Sequence, residues 1–287
     1  MKEKVTLVVG ADSMIGQAMI TYLTDAGELV IGTTRRPEQT EKDRILLDLS
    51  ENLSGWKPPR PVKTAYICAG VTRLDDCRRD PLRSARINVT GTCALAKALM
   101  EQGAFVVFLS TNQVFDGRIP HVRPDHPRSP KSEYGWQKAK AERILGQWPK
   151  NVATVRLSKV LGPDSLFTEW SRFLKADRII RPFTDMVLSP VPLDTVVSAL
   201  GRIGDRRSGG SWQISGERDV SYARAAKWGA DVLESDSGLV QPWSMAEAGM
   251  AMEAVWQNTT MNTDRMREEL GLEPPPVKWT IEQAFLL

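Results

Sequence analysis

Cysteine is scarce in this sequence: Cys68, Cys77 and Cys93 are the only three in 287 residues. None forms a C-x-x-C pair. The two histidines, His121 and His126, fall together in a Pro-rich stretch. This argues against both a disulfide framework and a structural zinc site. Long apolar runs are also missing, since none approaches the roughly 20 residues that cross a bilayer. Charge of one sign is lacking too: 38 Lys+Arg against 35 Asp+Glu leaves +3, and basic clusters stop at pairs such as Arg35-Arg36 and Arg78-Arg79. That excludes a nucleic-acid footprint and remains compatible with a small anionic ligand. No repeat or low-complexity segment occurs. The opening M-K-E-K-V-T-L-V-V-G is too short in its apolar run for a signal peptide and leads directly into a fold motif. The expectation is a reduced, cytoplasmic, soluble protein with neither membrane nor nucleic acid as partner. At 41% hydrophobic and 25% charged, it is long enough for a large core or a main domain with a lobe.

What is present centres on Val106 to Glu142. An apolar run of strand length ends in the hydroxyls Ser110 and Thr111. After a turn-rich connection, S-P-K-S-E-Y-G-W-Q-K-A-K-A-E opens a helix. Tyr134 and Lys138 lie four residues apart, so phenol and ammonium share a face. A cation beside a phenol lowers its pKa, and the expectation is a Tyr134 poised near neutrality. Tyr134 is then the candidate proton donor or acceptor, with Thr111 or Ser110 as second hydroxyl.

Upstream lies something for that chemistry to act on. Val5 to Val9 reads as a strand ending at Gly10, and Met14 to Leu23 has helical spacing, with Gly16 in the first turns and Gly27 as stop. A strand, a Gly loop and a helix N-terminus form the unit that seats a dinucleotide pyrophosphate. Ser13 holds the middle glycine position of that fingerprint. The next strand, Leu29 to Thr33, leads into Arg35-Arg36, with no acid there to take a ribose 2′-OH. Arginine suits a 2′-phosphate, so NADP(H) is favoured over NAD(H); a solvated pair of loop arginines is the plainer alternative. Arg44 to Leu47 is a third strand ending at Asp48, which serves either the adenine edge or a helix N-cap. Lys63 to Cys68 is a fourth, closed by Ala69 and Gly70 beside the expected cofactor crevice. Arg83 to Gln102 reads as one long helix. Its polar Asn88 either supports the site, through a water or the lysine's backbone, or is simply solvated. Phe105 to Leu109 is strand five, and Val152 to Leu157 strand six. Strands alternating with helices predict an α/β fold of the Rossmann type, a doubly wound parallel sheet over 1–157. A smaller, interleaved substrate lobe follows over 158–287. There Val160 to Pro163 reads as a turn, Ile179 to Pro192 as extended chain, and Met245 to Trp256 as a packing segment. Leu166 to Ala176 reads as a helix with Trp170, Phe173 and Leu174 for core, while Trp170, Arg172, Arg178 and Arg181 are also candidates for base stacking and pyrophosphate pairing.

These pieces, in this order, resemble the extended short-chain dehydrogenase/reductase superfamily. S-T-N-Q-V-F-D-G and P-K-S-E-Y-G-W-Q-K-A-K-A-E are similar to its dTDP-4-dehydrorhamnose reductase-like branch, among the NAD-dependent epimerase/dehydratases. The likeness runs on through D-M-V-L-S-P-V-P-L-D-T-V-V, G-S-W-Q-I-S-G and M-N-T-D-R-M-R-E-E-L-G-L-E-P-P. It implies a catalytic set of Thr111, Tyr134 and Lys138 with Ser110 beside it. It implies cofactor contacts at Gly10, Ser13, Met14, Ile15, Gly16, Arg35 or Arg36, Asp48, Leu49, Ala69, Gly70, Lys138 and Leu157. Asn112, Arg156, Val160 and Trp170 are the substrate-side candidates. The implied activity is reduction of a keto group on a nucleotide-activated sugar. Nucleotide-sugar epimerase or dehydratase is the in-class alternative; a non-catalytic regulatory subunit, like the β subunit of methionine adenosyltransferase, is the other. The resemblance further implies a homodimer packed through Arg83–Gln102 and Tyr134–Leu145. The connection from Gly117 to Ser132 departs from the branch: it is basic, with Arg118, His121, Arg123, His126 and Arg128.

Overall fold

The computed structural model describes residues 3–249 and 255–287, so part of the Met245–Trp256 segment lies outside the described residues. Strands come in the order β1 (Val5–Val9), β2 (Val30–Thr34), β3 (Arg44–Leu46), β4 (Val62–Ile67), β5 (Phe105–Thr111), β6 (Val152–Leu157), β7 (Lys159–Leu161), β8 (Val187–Leu188), β9 (Pro190–Pro192), β10 (Gly210–Ile214) and β11 (Val220–Ser221). The helices are α1 (Met14–Asp25), α2 (Leu74–Arg79), α3 (Pro81–Ala85), α4 (Thr92–Glu101), α5 (Glu133–Leu145), α6 (Leu166–Lys175), α7 (Leu193–Arg206), α8 (Tyr222–Val232), α9 (Asp264–Leu270) and α10 (Val277–Leu286). Seven strands form one sheet in the order β10-β6-β5-β4-β1-β2-β3. The pairings β1–β2, β2–β3, β1–β4 and β4–β5 are parallel. This is the Rossmann-type, doubly wound sheet. The order reverses beside β1, and ligands bind at such a switch point, outside the strands' carboxyl ends. β1 and β5 are buried at every residue, as strands covered on both faces must be.

The chain divides into two compact units. The first comprises the chain up to Val114, Ser132–Arg156 and Val197–Trp212, and holds the sheet. Its core gathers Leu7, Val9, Ile31, Ile67, Leu95, Leu99, Phe108 and Leu145. The second comprises Phe115–Lys131, Leu157–Val196 and Gln213–Leu287. Its core packs Phe167, Trp170 and Leu174 of α6 with Ala226 of α8 and Phe285 of α10.

Several elements differ from the sequence expectation. The long helix expected from Arg83 is present as one uninterrupted helical run from Pro81 to Glu101, but its middle is wound as a π-turn over Arg86–Gly91, which lies between α3 and α4. Gly91 fits the close approach there, because a Cβ would fall 1.9 Å from the Leu49 carbonyl oxygen. α2 carries too little apolar periodicity to be read in advance; Cys77 is its only buried residue. Val160 to Pro163, read as a turn, begins as β7, which pairs in parallel with β9. β8 pairs antiparallel with β11.

The first βα turn is closely packed as well. Gly10 has φ +86°, and a Cβ on it would lie 2.7 Å from the Ala69 nitrogen. A Cβ on Gly16 would lie 2.1 Å from the Gly10 carbonyl oxygen. Gly16→Ala is expected to push α1 off the loop and lower stability by about 1–3 kcal/mol, measured by denaturant titration.

Candidate functional site

Of the residues expected on the cofactor side, Gly10, Ser13, Arg35, Arg36, Asp48, Leu49, Ala69 and Gly70 line one cleft of ≈ 630 Å³ in the first unit, whereas Met14, Ile15, Gly16, Lys138 and Leu157 are not among its lining residues. That volume falls in the range of about 300–1,000 Å³ typical of ligand pockets. Ser13, the odd residue of the fingerprint, needs no glycine freedom, for its φ is −81°. Its hydroxyl folds back on the loop, donating to the Gly10 carbonyl at 2.8 Å and accepting from the Gly16 amide at 3.1 Å. It is the N-cap of α1. The amides of Met14 and Ile15 occupy the first turn, where no intrahelical acceptor exists. Such amides and the helix dipole together fit a pyrophosphate.

Arg35 and Arg36 are exposed at the end of β2. Asp48 accepts from the Ser50 amide at 2.8 Å and its hydroxyl at 2.7 Å through Oδ1, which makes it a turn cap at the cleft's edge. Asn88 is not solvated. It is buried in the π-turn, accepts from the Val71 amide at 2.8 Å, and donates to the Val71 carbonyl at 2.9 Å and to Gln137 Oε1 at 2.8 Å. Gln137 in turn donates to Ser84 Oγ at 2.8 Å and Glu133 Oε1 at 2.9 Å. This polar chain fixes α5 against α3 and the π-turn. Gln137 lies between Tyr134 and Lys138 in sequence, so the chain also fixes the catalytic candidates. Sequence reasoning missed Gln137; a glutamine in a helix carries no distinguishing signal.

Tyr134 and Lys138 lie in α5, whose N-cap is Ser132. Ser132 Oγ accepts from the Gly135 amide at 3.1 Å and donates to Gln113 Oε1 at 3.0 Å, tying the helix start to the turn after β5. Tyr134 is 8% exposed and Lys138 5%. The expected lowering of the phenol pKa does not occur. Burial pushes Tyr134 up, the neighbouring Cys77 adds to this, and a hydrogen bond with the Thr111 side chain opposes it. Lys138 is not among the causes. Its ammonium lies 4.4 Å from the Phe108 ring centroid. Burial lowers Lys138 to about 8, with Glu142 pulling the other way. Desolvation therefore outweighs charge proximity for both groups. Thr111 closes β5; its Oγ1 accepts from the Gln113 amide at 3.2 Å and donates to Asn112 Oδ1 at 3.3 Å.

Ser110 and Arg156 have other duties. Ser110 donates to Glu142 Oε1 at 2.5 Å. Arg156 grips the same carboxylate, Nε to Oε1 at 3.0 Å and Nη2 to Oε2 at 2.8 Å. Both members of that ion pair are 1% exposed. Arg156 is thereby corrected from substrate contact to buried partner of Glu142, and Ser110 from second catalytic hydroxyl to a third member of that cluster. Glu142 lies four residues after Lys138, and an acid on that face was the readable signal for it. In the second unit, Trp170 takes the core place of its two expected roles and not the base-stacking one. Its ring meets Phe167 and Tyr222 edge-on at 5.5 and 6.2 Å. Val160 is half-buried in β7 opposite Val191, and Leu157 ends β6, buried.

A sequence model of the RmlD substrate binding domain matches residues 4–286. The probable low-salt glycan biosynthesis reductase Agl14 of Haloferax volcanii is 23% identical, over 97% of this chain and 97% of its own. The dTDP-4-dehydrorhamnose reductase of Streptomyces griseus is 30% identical over 54% of this chain and 50% of its own. Methionine adenosyltransferase 2 subunit beta of Xenopus laevis is 30% identical over 60% of this chain and 52% of its own. The chain thus spans about half the length of these last two relatives. Among solved structures, dTDP-4-dehydrorhamnose reductase of Bacillus anthracis in complex with NADP matches with TM-score 0.86 and 19% identity, covering 99% of both chains. MoeE5 in complex with UDP-glucose and NAD matches at 0.80 and 21%, covering 98% of this chain and 97% of the other. At these identities the likeness to the structures is one of fold.

Removing Glu142 takes away the carboxylate that grips the buried Arg156 guanidinium. Glu142→Ala is expected to cost about 3–5 kcal/mol in chemical denaturation, whereas Lys140→Ala, on the exposed face of α5, is expected to stay within about 0.5 kcal/mol.

Proposed function

The chain belongs to the RmlD substrate binding domain family, and from that membership we propose that it catalyses the NADP(H)-dependent reduction of a keto group on a nucleotide-activated sugar. The observation that carries this reading is a set of three buried polar side chains, Thr111 at the end of β5 and Tyr134 and Lys138 one helical turn apart on α5. Burial pushes the thiol of Cys68, a lining residue of the glycine-edged cleft, up to about 12, and Lys138 acts against that shift. The names of the Haloferax and Streptomyces relatives, both reductases, support the reaction class.

In this reading the first-turn amides of α1 hold the pyrophosphate, and Gly10 and Ala69 leave room for it. Arg35 or Arg36 pairs with the 2′-phosphate, Asp48 and Leu49 meet the adenine, and Lys138 holds the nicotinamide ribose. The bound nicotinamide supplies the hydride. Thr111 donates a hydrogen bond to the carbonyl oxygen and steadies the charge that develops there. Tyr134 delivers the proton to that oxygen. Because burial raises its pKa, the phenol keeps its proton at neutral pH, which suits a donor in the reducing direction. Asn112 and Val160 remain the substrate-side candidates, within a second unit that serves as the substrate lobe in Val160's case. A homodimer is part of the proposal, supported by the exposed Leu82 of α3 and Trp136 of α5; light scattering tests it.

The likeness to methionine adenosyltransferase 2 subunit beta supports a second reading, a partner subunit without turnover. A screen of NADPH and NADH against a panel of nucleotide 4-keto sugars separates the two. Turnover with one of these sugars is expected; none with any, together with tight binding to a partner protein, would favour the second reading. Tyr134→Phe is expected to lower kcat by at least about 10²-fold while NADPH still binds; retained turnover would remove Tyr134 from the donor role.

The pH dependence has a definite sign. Lys138 is lowered to about 8, so its charge is present below that pH and lost above it. The kcat/KM for reduction is expected to be flat below pH 8 and to fall as pH rises through it. A guanidinium stays charged throughout, so in Lys138→Arg the residual activity should lose that falling limb, measured as a full pH–rate profile.

A further inference from the structure

The cleft holds a carboxylate that the strand-end sequence, with only Arg35 and Arg36, does not suggest. Asp12 belongs to the glycine loop and lines the cleft together with Thr34, Arg35 and Arg36. Thr34 is the last residue of β2, the strand end at which dinucleotide-binding folds read the adenosine ribose. Thr34 Oγ1 donates to Asp12 Oδ2 at 2.7 Å and accepts from the Arg36 amide at 3.1 Å. Asp12 Oδ1 lies 3.7 Å from Arg44 Nη1 at the start of β3. The loop itself is pinned to the same strand end: the Gly10 amide donates to Thr33 Oγ1 at 3.1 Å, and the Ala11 amide to the Thr33 carbonyl at 2.9 Å. Three elements therefore fix one carboxylate at the ribose end of the cleft.

A carboxylate there has opposite effects on the two nicotinamide cofactors. It accepts a hydrogen bond from a ribose 2′-OH. It repels a 2′-phosphate, which carries between about −1.5 and −2 charges at neutral pH. Arg35 and Arg36 act in the other sense. Arg44 offsets part of the Asp12 charge without removing it, since both side chains are partly open to solvent, 33% and 24%, and water screens the pair. We propose that Asp12, held by Thr34 and partly neutralised by Arg44, is a selectivity residue for the adenosine ribose and narrows the preference for the 2′-phosphate, so that the protein binds both NADP(H) and NAD(H). The inference rests on the reading of this cleft as the dinucleotide site.

Isothermal titration of NADPH and of NADH tests it on the full-length protein, with Asp12→Asn, Arg44→Met and the double variant beside the wild type. Wild type is expected to bind both. Asp12→Asn should raise the preference for NADPH by about fivefold, the size of one unit-charge interaction near 4 Å in water. Arg44→Met should lower it by a similar factor, and Asp12→Asn in that background should restore it. Circular dichroism confirms folding; should Asp12→Asn alone fail to fold, Asp12→Ser replaces it with the same expected direction. If the wild type binds neither dinucleotide, the reading of the cleft fails and this inference with it. If the wild type binds only NADPH, or if the preference moves by less than about twofold on loss of the Asp12 charge, the inference about Asp12 fails while the cleft's assignment stands.

Discussion

The Glu142 carboxylate is the constraint on which the site's geometry depends. One oxygen takes the Ser110 hydroxyl from β5, and both take Arg156 from β6, in a place closed to water. A buried pair of this kind contributes little net stability against an apolar alternative, but losing one partner is costly. Its use here is register. The hydroxyl that precedes Thr111 and the acid one turn beyond Lys138 are locked together, so β5 and α5 cannot slide past one another without breaking a buried ion cluster. Asn88 and Gln137 fix the outer side of the same helix. Tyr134 and Lys138 are thus held from two directions by groups that do no chemistry.

Burial then decides the protonation states. Proximity of an ammonium to a phenol suggests a phenolate near neutrality, yet desolvation acts on both groups and dominates each. The consequence is a protonated phenol beside a lysine whose charge is only just retained near pH 7–8. The raised phenol keeps its proton at neutral pH, and Lys138, lowered to about 8, is the member of the pair that titrates nearest to neutrality.

Much of the first unit was legible in the sequence, because its signals are local. Val5–Val9, Val62–Ile67 and Val152–Leu157 are short β-rich apolar runs, and the Tyr134–Lys138 spacing fixes a shared helical face. Gly10, Ser13, Arg35, Arg36, Asp48, Leu49, Ala69 and Gly70 line one cleft, at the place the strand-end rule indicates. What escaped are pairings across the fold. Nothing in the string links Glu142 to Arg156 fourteen residues on, or Asp12 to Arg44. Nor does any helical period encode the π-turn at Asn88, where Gly91 packs closely on Leu49. Trp170 carried two readings for the same reason: an aromatic on an amphipathic helix looks alike whether it faces a base or Phe167. In the second unit β7, β8 and β9 are two or three residues long, below the length at which alternation can be recognised.

The central claim is that Tyr134 and Lys138 serve hydride transfer to a sugar carbonyl. The most direct measurement uses NADPH deuterated at nicotinamide C4, together with a nucleotide 4-keto sugar, and follows the label by NMR. Deuterium at the former carbonyl carbon of the sugar with wild type, and its absence with Tyr134→Phe, is the expected result. Product without the label, or equal labelling by the Tyr134→Phe protein, would contradict the account.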